Sequence, residues 1–226
     1  MRGAAPVVCV LVGLVVDPYI VLSPHLDDAV LSCGQLMAGR PGARIVTVFS
    51  AAPHTLELLT PYDEGCGFLS SWDAVDTRKI ENARACAVLA AEDWNGVFLD
   101  GQYHGERTPH EIKKIEVWMA DVFLDLRNDG GNLVVAPIGI EHPDHLTVTL
   151  CARRASTPDI ELVFYDDLPG AMLYPQPPAR DGMVPFFPGT GDPNMKRAAA
   201  YCYRSQLKML KPEWNWMTNE RYWKAI

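Results

Sequence analysis

Residues 23–34 read "SPHLDDAVLSCG" and follow directly on the apolar run "YIVL" at 19–22. The run is typical of a buried strand, and the residues after it are typical of the start of a helix. A histidine and two carboxylates, His25, Asp27 and Asp28, are therefore expected at a strand-to-helix turn. A dinucleotide-binding fold would place glycines at this turn so that the backbone could approach a pyrophosphate. Two carboxylates would instead repel a phosphate and attract a cation.

The chain after this turn alternates β-type runs with helix-periodic segments. This pattern predicts an α/β fold, Rossmann-like and three-layered, with a mostly parallel central sheet. The predicted strands are "YIVLS" (19–23), "RIVTVFS" (44–50), "GVFLD" (96–100), "NLVVAP" (132–137) and "IELVFYD" (160–166). If the sheet has the usual doubly wound order 3-2-1-4, strands 1 and 4 are neighbours and ligands bind beside their carboxyl ends.

Two of the expected helices have a clear period. Over 108–128, apolar side chains recur three or four residues apart and charged ones occupy the other face, so this helix is expected to pack on the sheet. Over 72–91, Ile80 and the alanines at 83, 87 and 91 form a stripe suited to close packing against a sheet. The segments 51–71 and 167–194 are expected to be long irregular loops, which are often functional.

A second histidine-rich turn follows the fourth strand, where residues 139–148 read "GIEHPDHLTV". Pro143 suits the first position of a helix, so His142 and His145 are expected three residues apart on one face. Each motif alone has an ordinary explanation, because aspartates at a helix start cap it and a lone histidine is more often a core or surface residue. Two such turns at the same edge of adjacent strands indicate a shared site.

The side chains of the two turns provide a ligand set for one metal ion. We expect His25, Asp28 and His145 to bind it, which leaves an open fourth position. Two imidazole nitrogens and one carboxylate suit a catalytic Zn²⁺, which lowers the pKa of a bound water to roughly 7. Asp27 is then the general base, and His142 polarises an oxyanion or protonates a leaving group. The set predicts hydrolysis of an amide or ester with one zinc ion per chain.

The motifs "PHLDDAVLSCG" (24–34) and "HPDH" (142–145) together resemble those of the PIG-L/LmbE-like family of zinc-dependent de-N-acetylases. The family motifs are usually written (A/P)-H-P-D-D and H-P-D-H. Similar members remove acyl groups from the 2-amino group of a glucosamine unit in glycosylphosphatidylinositol precursors, mycothiol, bacillithiol and antibiotic sugars. The resemblance implies the same metal ligands, base and oxyanion residue as the set described above. Leu26 and Ala29 depart from it, because Pro and Glu are common at those positions.

Weaker likenesses extend over residues 19–210. The stretch "TRKIENARACAVLA" (77–90) resembles a family helix with an R-x-x-E pattern, which makes Arg78 a candidate for binding substrate hydroxyls or phosphate. The alternative is that Arg78 and Glu81 form a solvated pair on the helix. "FYDDLPG" (164–170) resembles a strand end of the family, and "KRAAAYCYRSQL" (196–207) resembles a late helix with a Y-x-S-Q ending.

The favoured function is a zinc-dependent hydrolase that removes an N-acetyl or N-acyl group from a glucosaminyl moiety of a glycoconjugate. The resemblance favours a secondary-metabolite sugar, such as that of a glycopeptide antibiotic, as the small-molecule partner. A deacetylase of a mycothiol- or bacillithiol-type thiol precursor is the alternative within the family. A metal-dependent phosphoester hydrolase and a metal-dependent sugar-binding module are alternatives from other classes.

Composition limits the partners and the domain count. The chain has 226 residues and a formal net charge of −8, so nothing resembles the basic surface of a nucleic-acid-binding protein. Its length and apolar content predict a single domain over 1–226. Within it, residues 1–18 are expected to be an atypical N-terminal extension, and 167–226 a C-terminal elaboration of loops and helices.

The cysteines and the chain ends bear on localisation. The chain has 6 cysteines, none in a CxxC pair, which are expected to be buried free thiols of a reducing compartment. The apolar start at 1–16 is too short for a convincing transmembrane helix. We expect an extra strand or an irregular start there, with a signal sequence or a membrane contact as the minority alternative. The favoured localisation is therefore cytoplasmic, with peripheral membrane association through this start or the Trp-rich C-terminus as the alternative. The oligomeric state is left open.

Overall fold

The strands of the described part of the chain lie side by side in one seven-stranded sheet. A computed structural model describes residues 17–54, 58–140, 142–168, 170–173, 180–189, 191–209 and 220–226. Its strands are β1 (Tyr19–Ser23), β2 (Ala43–Thr47), β3 (Glu92–Asn95), β4 (Leu133–Pro137), β5 (Glu161–Tyr165), β6 (Met183–Phe186) and β7 (Tyr222–Ala225). Its helices are α1 (Asp28–Gly39), α2 (Pro61–Cys66), α3 (Ser71–Val88), α4 (Gly101–His104), α5 (Pro109–Asn128), α6 (Pro143–Ala155), α7 (Gly170–Leu173), α8 (Pro193–Ala200) and α9 (Arg204–Leu207).

The strand order is β3-β2-β1-β4-β5-β7-β6, which confirms the expected order of the first four strands. The pairs from β3 to β5 are all parallel, whereas β7 runs antiparallel to both β5 and β6. The carboxyl ends of β1 and β4 therefore lie next to each other at one edge of the sheet. The two histidine-rich turns begin at that edge.

Helices cover both faces of the sheet, as the three-layer prediction requires. One hydrophobic core joins Leu22 and Val134 of the sheet to Met119 of α5 and Val148 of α6. The other core joins Val21 on the opposite face to side chains of α1, α3 and α8. Burial of these apolar side chains supplies most of the driving force for this arrangement.

The third strand differs from the prediction, because the sheet pairs Glu92–Asn95 rather than residues 96–100. This strand lies at the edge of the sheet and is polar, so it lacks the apolar signal of the central strands. The apolar run after it follows an irregular path, in which Phe98 packs edge-on against Trp118 and Val97 is exposed. Gly96 begins this path, since a Cβ there would lie 2.4 Å from the carbonyl oxygen of Val48.

Helix α3 buries a different face from the one predicted. Ile80 is 53% exposed and the alanines at 83 and 87 also face solvent, so the small-residue stripe is not the packing face. Arg78, Glu81 and Asn82 are buried instead. The prediction failed because a buried polar face cannot be distinguished by period from a solvated one.

The predictions for the two ends of the chain and for the cysteines are tested only in part, because some of these residues lie outside the described ranges. The predicted N-terminal extension falls mostly on residues 1–16, which lie outside the described residues, as do residues 210–219 of the Trp-rich tail. The C-terminal elaboration contributes two strands, β6 and β7, as well as helices and loops. Among the described residues, the cysteines are free thiols and four of them are buried, as predicted. No helix in the described part of the chain is long and apolar enough to cross a membrane.

Candidate metal centre and catalytic cleft

The turn after β1 is held by the side chains of Ser23 and Asp28, and not by that of Asp27. The Ser23 hydroxyl accepts a hydrogen bond from Ala29 N at 3.0 Å, which satisfies one of the free N–H groups at the start of α1. Asp27 is the N-cap residue of α1 by position, but its side chain makes no capping hydrogen bond. Asp28 accepts a hydrogen bond from His25 N at 2.8 Å, which fixes the turn. Capping therefore does not explain Asp27, and its carboxylate faces the cleft.

The turn after β4 places the second pair of histidines. Pro143 is in the first turn of α6 as predicted, whereas His142 is the N-cap residue just before the helix. Nδ1 of His142 accepts a hydrogen bond from Asp144 N at 3.2 Å. Neutral His142 therefore carries its proton on Nε2, where it can donate a hydrogen bond to a ligand.

The three predicted ligands converge. Oδ2 of Asp28 lies 3.2 Å from Nδ1 of His25 and 3.2 Å from Nε2 of His145. One ligand atom from each residue lies within 4.8 Å of the other two, which is the spacing of groups that share one metal ion. All three side chains are largely buried. Two nitrogens and one carboxylate oxygen in this arrangement fit a divalent metal of the zinc type.

Two further carboxylates orient the histidines. Nε2 of His25 lies 3.0 Å from Oδ2 of Asp144, and Nδ1 of His145 lies 2.6 Å from Oδ1 of Asp167. Each histidine thus directs one nitrogen at Asp28 and the other at a buried carboxylate, the arrangement that fixes ring orientation in metal sites. Neither role was predicted from the sequence, although Asp144 is part of "HPDH" and Asp167 of "FYDDLPG".

The orienting carboxylates are themselves fixed by backbone and arginine donors. Asp144 accepts hydrogen bonds from Gly101 N and from the Arg107 guanidinium, both at 2.7 Å. Asp167 accepts one from the N–H of Gly139, at 2.9 Å. Gly139 has a φ of +80°, a conformation that a side chain would strain, so glycine suits this turn.

A second candidate metal group consists of His25, His142 and Asp144. It shares His25 with the first group. The oxygens of Asp144 already accept hydrogen bonds from Gly101 and Arg107, so few of its lone pairs are left for a metal. We therefore take His25, Asp28 and His145 as the metal centre, and Asp144 as a residue that orients His25.

The charges in the site set the protonation of each group. Burial alone would lower the pKa of His145, but the charges of Asp28 and Asp167 outweigh it and raise the pKa to about 10. The pKa of His25 is likewise raised well above its usual value, because Asp100, Asp144 and Asp28 outweigh the effect of burial. Both rings are therefore protonated at neutral pH before a metal binds.

The two groups expected to take part in proton transfer have pKa values that are shifted in opposite directions, that of Asp27 upward and that of His142 downward. Burial, and then the charge of Asp28, raise the pKa of Asp27 to about 7. Burial and the neighbouring His25 and His145 lower the pKa of His142. Asp27 is thus a stronger base than an ordinary aspartate, and His142 is neutral at physiological pH.

The site lies in a cleft of about 450 Å³. Its lining includes the five predicted residues and Arg78, together with Tyr62, Asp100 and Gln206. The predicted active-site residues are therefore brought together in one cavity large enough for a sugar-sized ligand.

Arg78 is not part of a solvated pair. It is buried, and its guanidinium donates a hydrogen bond to Oδ1 of Asp63 at 2.9 Å. Glu81 instead accepts a hydrogen bond from the Ser205 hydroxyl at 2.6 Å. The solvated-pair alternative is therefore wrong.

Two of the weaker sequence likenesses, those over 77–90 and 196–207, are connected by hydrogen bonds in the structure. Asn82, next to Glu81, accepts a hydrogen bond from the Tyr203 hydroxyl at 2.7 Å. Gln206 accepts one from the Tyr62 hydroxyl at 3.0 Å and lines the cleft. The R-x-x-E stretch of α3 and the Y-x-S-Q stretch of α9 thus support one wall of the cleft together.

Comparison with known proteins identifies relatives, although no protein-family model matches the chain. It is 30% identical to 2'-N-acetylparomamine deacetylase of Streptomyces fradiae over 169 residues, which are 67% of this chain and 57% of that protein. It is 26% identical to the solved A40926 pseudoaglycone deacetylase, with a TM-score of 0.72, and the match covers 92% of this chain and 96% of that one. The chain belongs to the PIG-L/LmbE-like deacetylase family.

A further solved structure shows how closely this PIG-L-like chain keeps the fold. The zinc-inhibited form of a teicoplanin deacetylase has a TM-score of 0.75 at 23% identity, over 91% of this chain and 97% of that one. The chain spans little more than half the length of the paromamine relative, at 57%.

Proposed function

We propose that this PIG-L-like chain is a metal-dependent deacetylase that removes an N-acetyl or N-acyl group from a glucosaminyl unit. The observation that carries the proposal is the convergence of His25, Asp28 and His145 in a cleft that also presents Asp27 and His142. The paromamine and pseudoaglycone relatives are both named as deacetylases, which supports the reaction class.

The proposed metal is Zn²⁺, one ion per chain, held by His25, Asp28 and His145. The donor set fits zinc, and the zinc-inhibited form of the teicoplanin relative supports metal binding in this fold. When bound, such an ion polarises a carbonyl oxygen and lowers the pKa of water. The chain itself contributes the orientation of the ligands through Asp144 and Asp167.

Two side chains are proposed to assist the chemical step. Asp27 takes a proton from the attacking water, and its raised pKa makes it a base suited to neutral pH. Asp27, once protonated, passes this proton to the leaving amine, while neutral His142 donates a hydrogen bond from Nε2 to the oxygen of the tetrahedral intermediate. Arg78 and Gln206 line the same cleft and are proposed to contact the sugar.

The proposed substrate is a secondary-metabolite glycoside. One relative is named for paromamine and another for the A40926 pseudoaglycone, so both act on antibiotic-type compounds by name. A mycothiol- or bacillithiol-type precursor uses the same N-acylglucosaminyl chemistry and is the alternative. The cytoplasmic localisation and the single domain over residues 1–226 stay predictions from the sequence.

A panel of candidate substrates tests this proposal. Zinc-loaded protein is incubated with N-acylglucosaminyl glycopeptide pseudoaglycones, 2'-N-acetylparomamine, an N-acetylglucosaminyl thiol precursor and p-nitrophenyl phosphate, and the release of free amine or phosphate is measured. We expect amine release from a glycopeptide or aminoglycoside substrate. Phosphate release without amine release would identify a phosphoesterase, and binding without release would identify a sugar-binding module.

Metal affinity is expected to rise with pH. His25 and His145 are protonated in the metal-free protein, since neighbouring carboxylates raise both pKa values, that of His145 to about 10. Zinc must displace those protons, so the logarithm of the apparent affinity should rise by up to about two for each pH unit. Competition with a chelator of known affinity at pH 6, 7 and 8 measures the slope. An affinity independent of pH would show that the histidines are neutral before binding.

Changing Asp167 to Asn is expected to weaken zinc binding by about 10- to 100-fold, the usual effect of losing a residue that orients a ligand. The amide keeps the shape of the side chain but removes the charge that holds Nδ1–H of His145. Asp121→Asn, on the exposed face of α5, is the matched control. Equal chelator-competition curves for both variants would show that Asp167 does not support zinc binding.

A further inference from the structure

The carboxylate of Glu220 is buried against the middle of helix α1. Its two oxygens accept hydrogen bonds from Gln35 N at 2.7 Å and from Leu36 N at 3.0 Å. The Tyr222 hydroxyl donates a third hydrogen bond at 2.7 Å, and Nζ of Lys196 lies 2.9 Å from Oε1. The side chains of Glu220 and Lys196 have no exposed surface.

A carboxylate bound to backbone N–H groups in the middle of a helix is uncommon. Backbone N–H groups inside a helix normally bond to carbonyls of the same helix, so a carboxylate across two of them is an unusual tertiary contact. A buried ion pair is costly unless other hydrogen bonds satisfy it, as they do here for the carboxylate. Gly34 provides the space, because a Cβ there would lie 2.6 Å from the Lys196 side chain.

Helix α1 connects this contact to the metal centre. Asp28 is its first residue and Asp27 its N-cap, and Gln35 follows Asp28 by seven residues, or about 10 Å along a helix. A shift of α1 along or about its axis would therefore move both aspartates relative to His145. Glu220 contacts α1 at Gln35 and Leu36, in the part of the helix whose residues are all buried.

The residues that follow Glu220 contact Asp166, the neighbour of the orienting residue Asp167. Nε of Arg221 lies 2.6 Å from Oδ2 of Asp166, and the indole N–H of Trp223 donates to Oδ1 at 2.8 Å. Asp166 directly precedes Asp167, which bonds His145. Residues 220–223, the terminal segment, thus contact α1, which carries Asp28, and the residue next to Asp167, which bonds His145.

We propose that Glu220 is a positioning residue for the metal centre, acting through α1 on Asp27 and Asp28. The inference rests on the proposed function, since it concerns the geometry of that site. Glu220 does not line the cleft that holds the proposed ligands. It sets the position of α1 relative to the turn that carries His142 and His145, and so affects metal affinity and the chemical step.

The test is the double variant Glu220→Gln/Lys196→Met. It removes both charges of the buried pair together, so that neither charge is left buried without its partner. We expect its zinc dissociation constant to rise by about 10-fold or more, as for other residues that support metal ligands. The value of kcat should fall, while KM changes less. Tyr222→Phe removes one donor to the same carboxylate and should give a smaller change in the same direction, which decides the matter if the double variant does not fold.

Glu161→Gln is the matched control. It removes an exposed ion pair with Lys224 on the same pair of strands, β5 and β7, and should leave zinc affinity and kcat unchanged. The melting temperature of each metal-free variant is measured separately. A lower melting temperature with unchanged zinc affinity and kcat would show that Glu220 only stabilises the fold, which overturns the inference. If the parent chain binds no zinc or releases no amine, the proposed function itself fails.

Discussion

Asp27→Asn is expected to lower kcat for amine release by about 10²- to 10⁴-fold, the usual contribution of a general base. The variant should bind zinc as the parent chain does, because Asp27 is not in the ligand set and its side chain does not cap α1. The amide has nearly the size of the carboxylate but cannot accept a proton at neutral pH. Turnover on the best substrate of the panel and zinc content are measured on the same preparation.

The control for this experiment is Asp76→Asn, which changes an exposed aspartate of α3. It should keep full activity. Hydrolysis by the Asp27 variant at the parent rate would show that Asp27 is not the general base. Loss of zinc together with activity would instead make Asp27 a ligand, which would overturn the chosen set of three.

His145→Gln is expected to abolish tight zinc binding and, with it, activity. His145 contributes one of three proposed ligands and sits between the carboxylates of Asp28 and Asp167. The affinity loss should exceed the roughly 10- to 100-fold typical of residues that only orient a ligand. Chelator competition measures the affinity, and circular dichroism checks that the variant is folded.

His110→Gln is the control, because His110 lies on the exposed face of α5. It removes a histidine without touching the cleft, so zinc binding and turnover should match the parent chain. If the His145 variant kept its zinc, the second group of His25, His142 and Asp144 would become the better metal centre.

Much of the fold follows from the sequence because the central strands are buried on both faces. Their continuous apolar runs predict β1, β2, β4 and β5, and the order of the first four strands then places the two turns together. The edge strand Glu92–Asn95 was not predicted because its polar residues carry no burial signal. The antiparallel strands β6 and β7 lie in segments with no clear period.

The site could be predicted as far as its motifs extend. His25, Asp28 and His145 converge as the spacing of the two turns suggests, because adjacent parallel strands bring their carboxyl ends together. The orienting role of Asp167 depends on the end of β5 and could not be assigned from local pattern. The buried polar face of α3 depends likewise on contacts with the distant Tyr203 and Ser205.

The most direct test is reconstitution of the metal-free chain with zinc. Metal is removed with a chelator, its absence is verified, and zinc is returned in steps while amine release from an N-acylglucosaminyl substrate is followed. The proposed site predicts no activity without metal and a rise that saturates at one zinc per chain. Undiminished amine release from the verified metal-free chain would contradict the account.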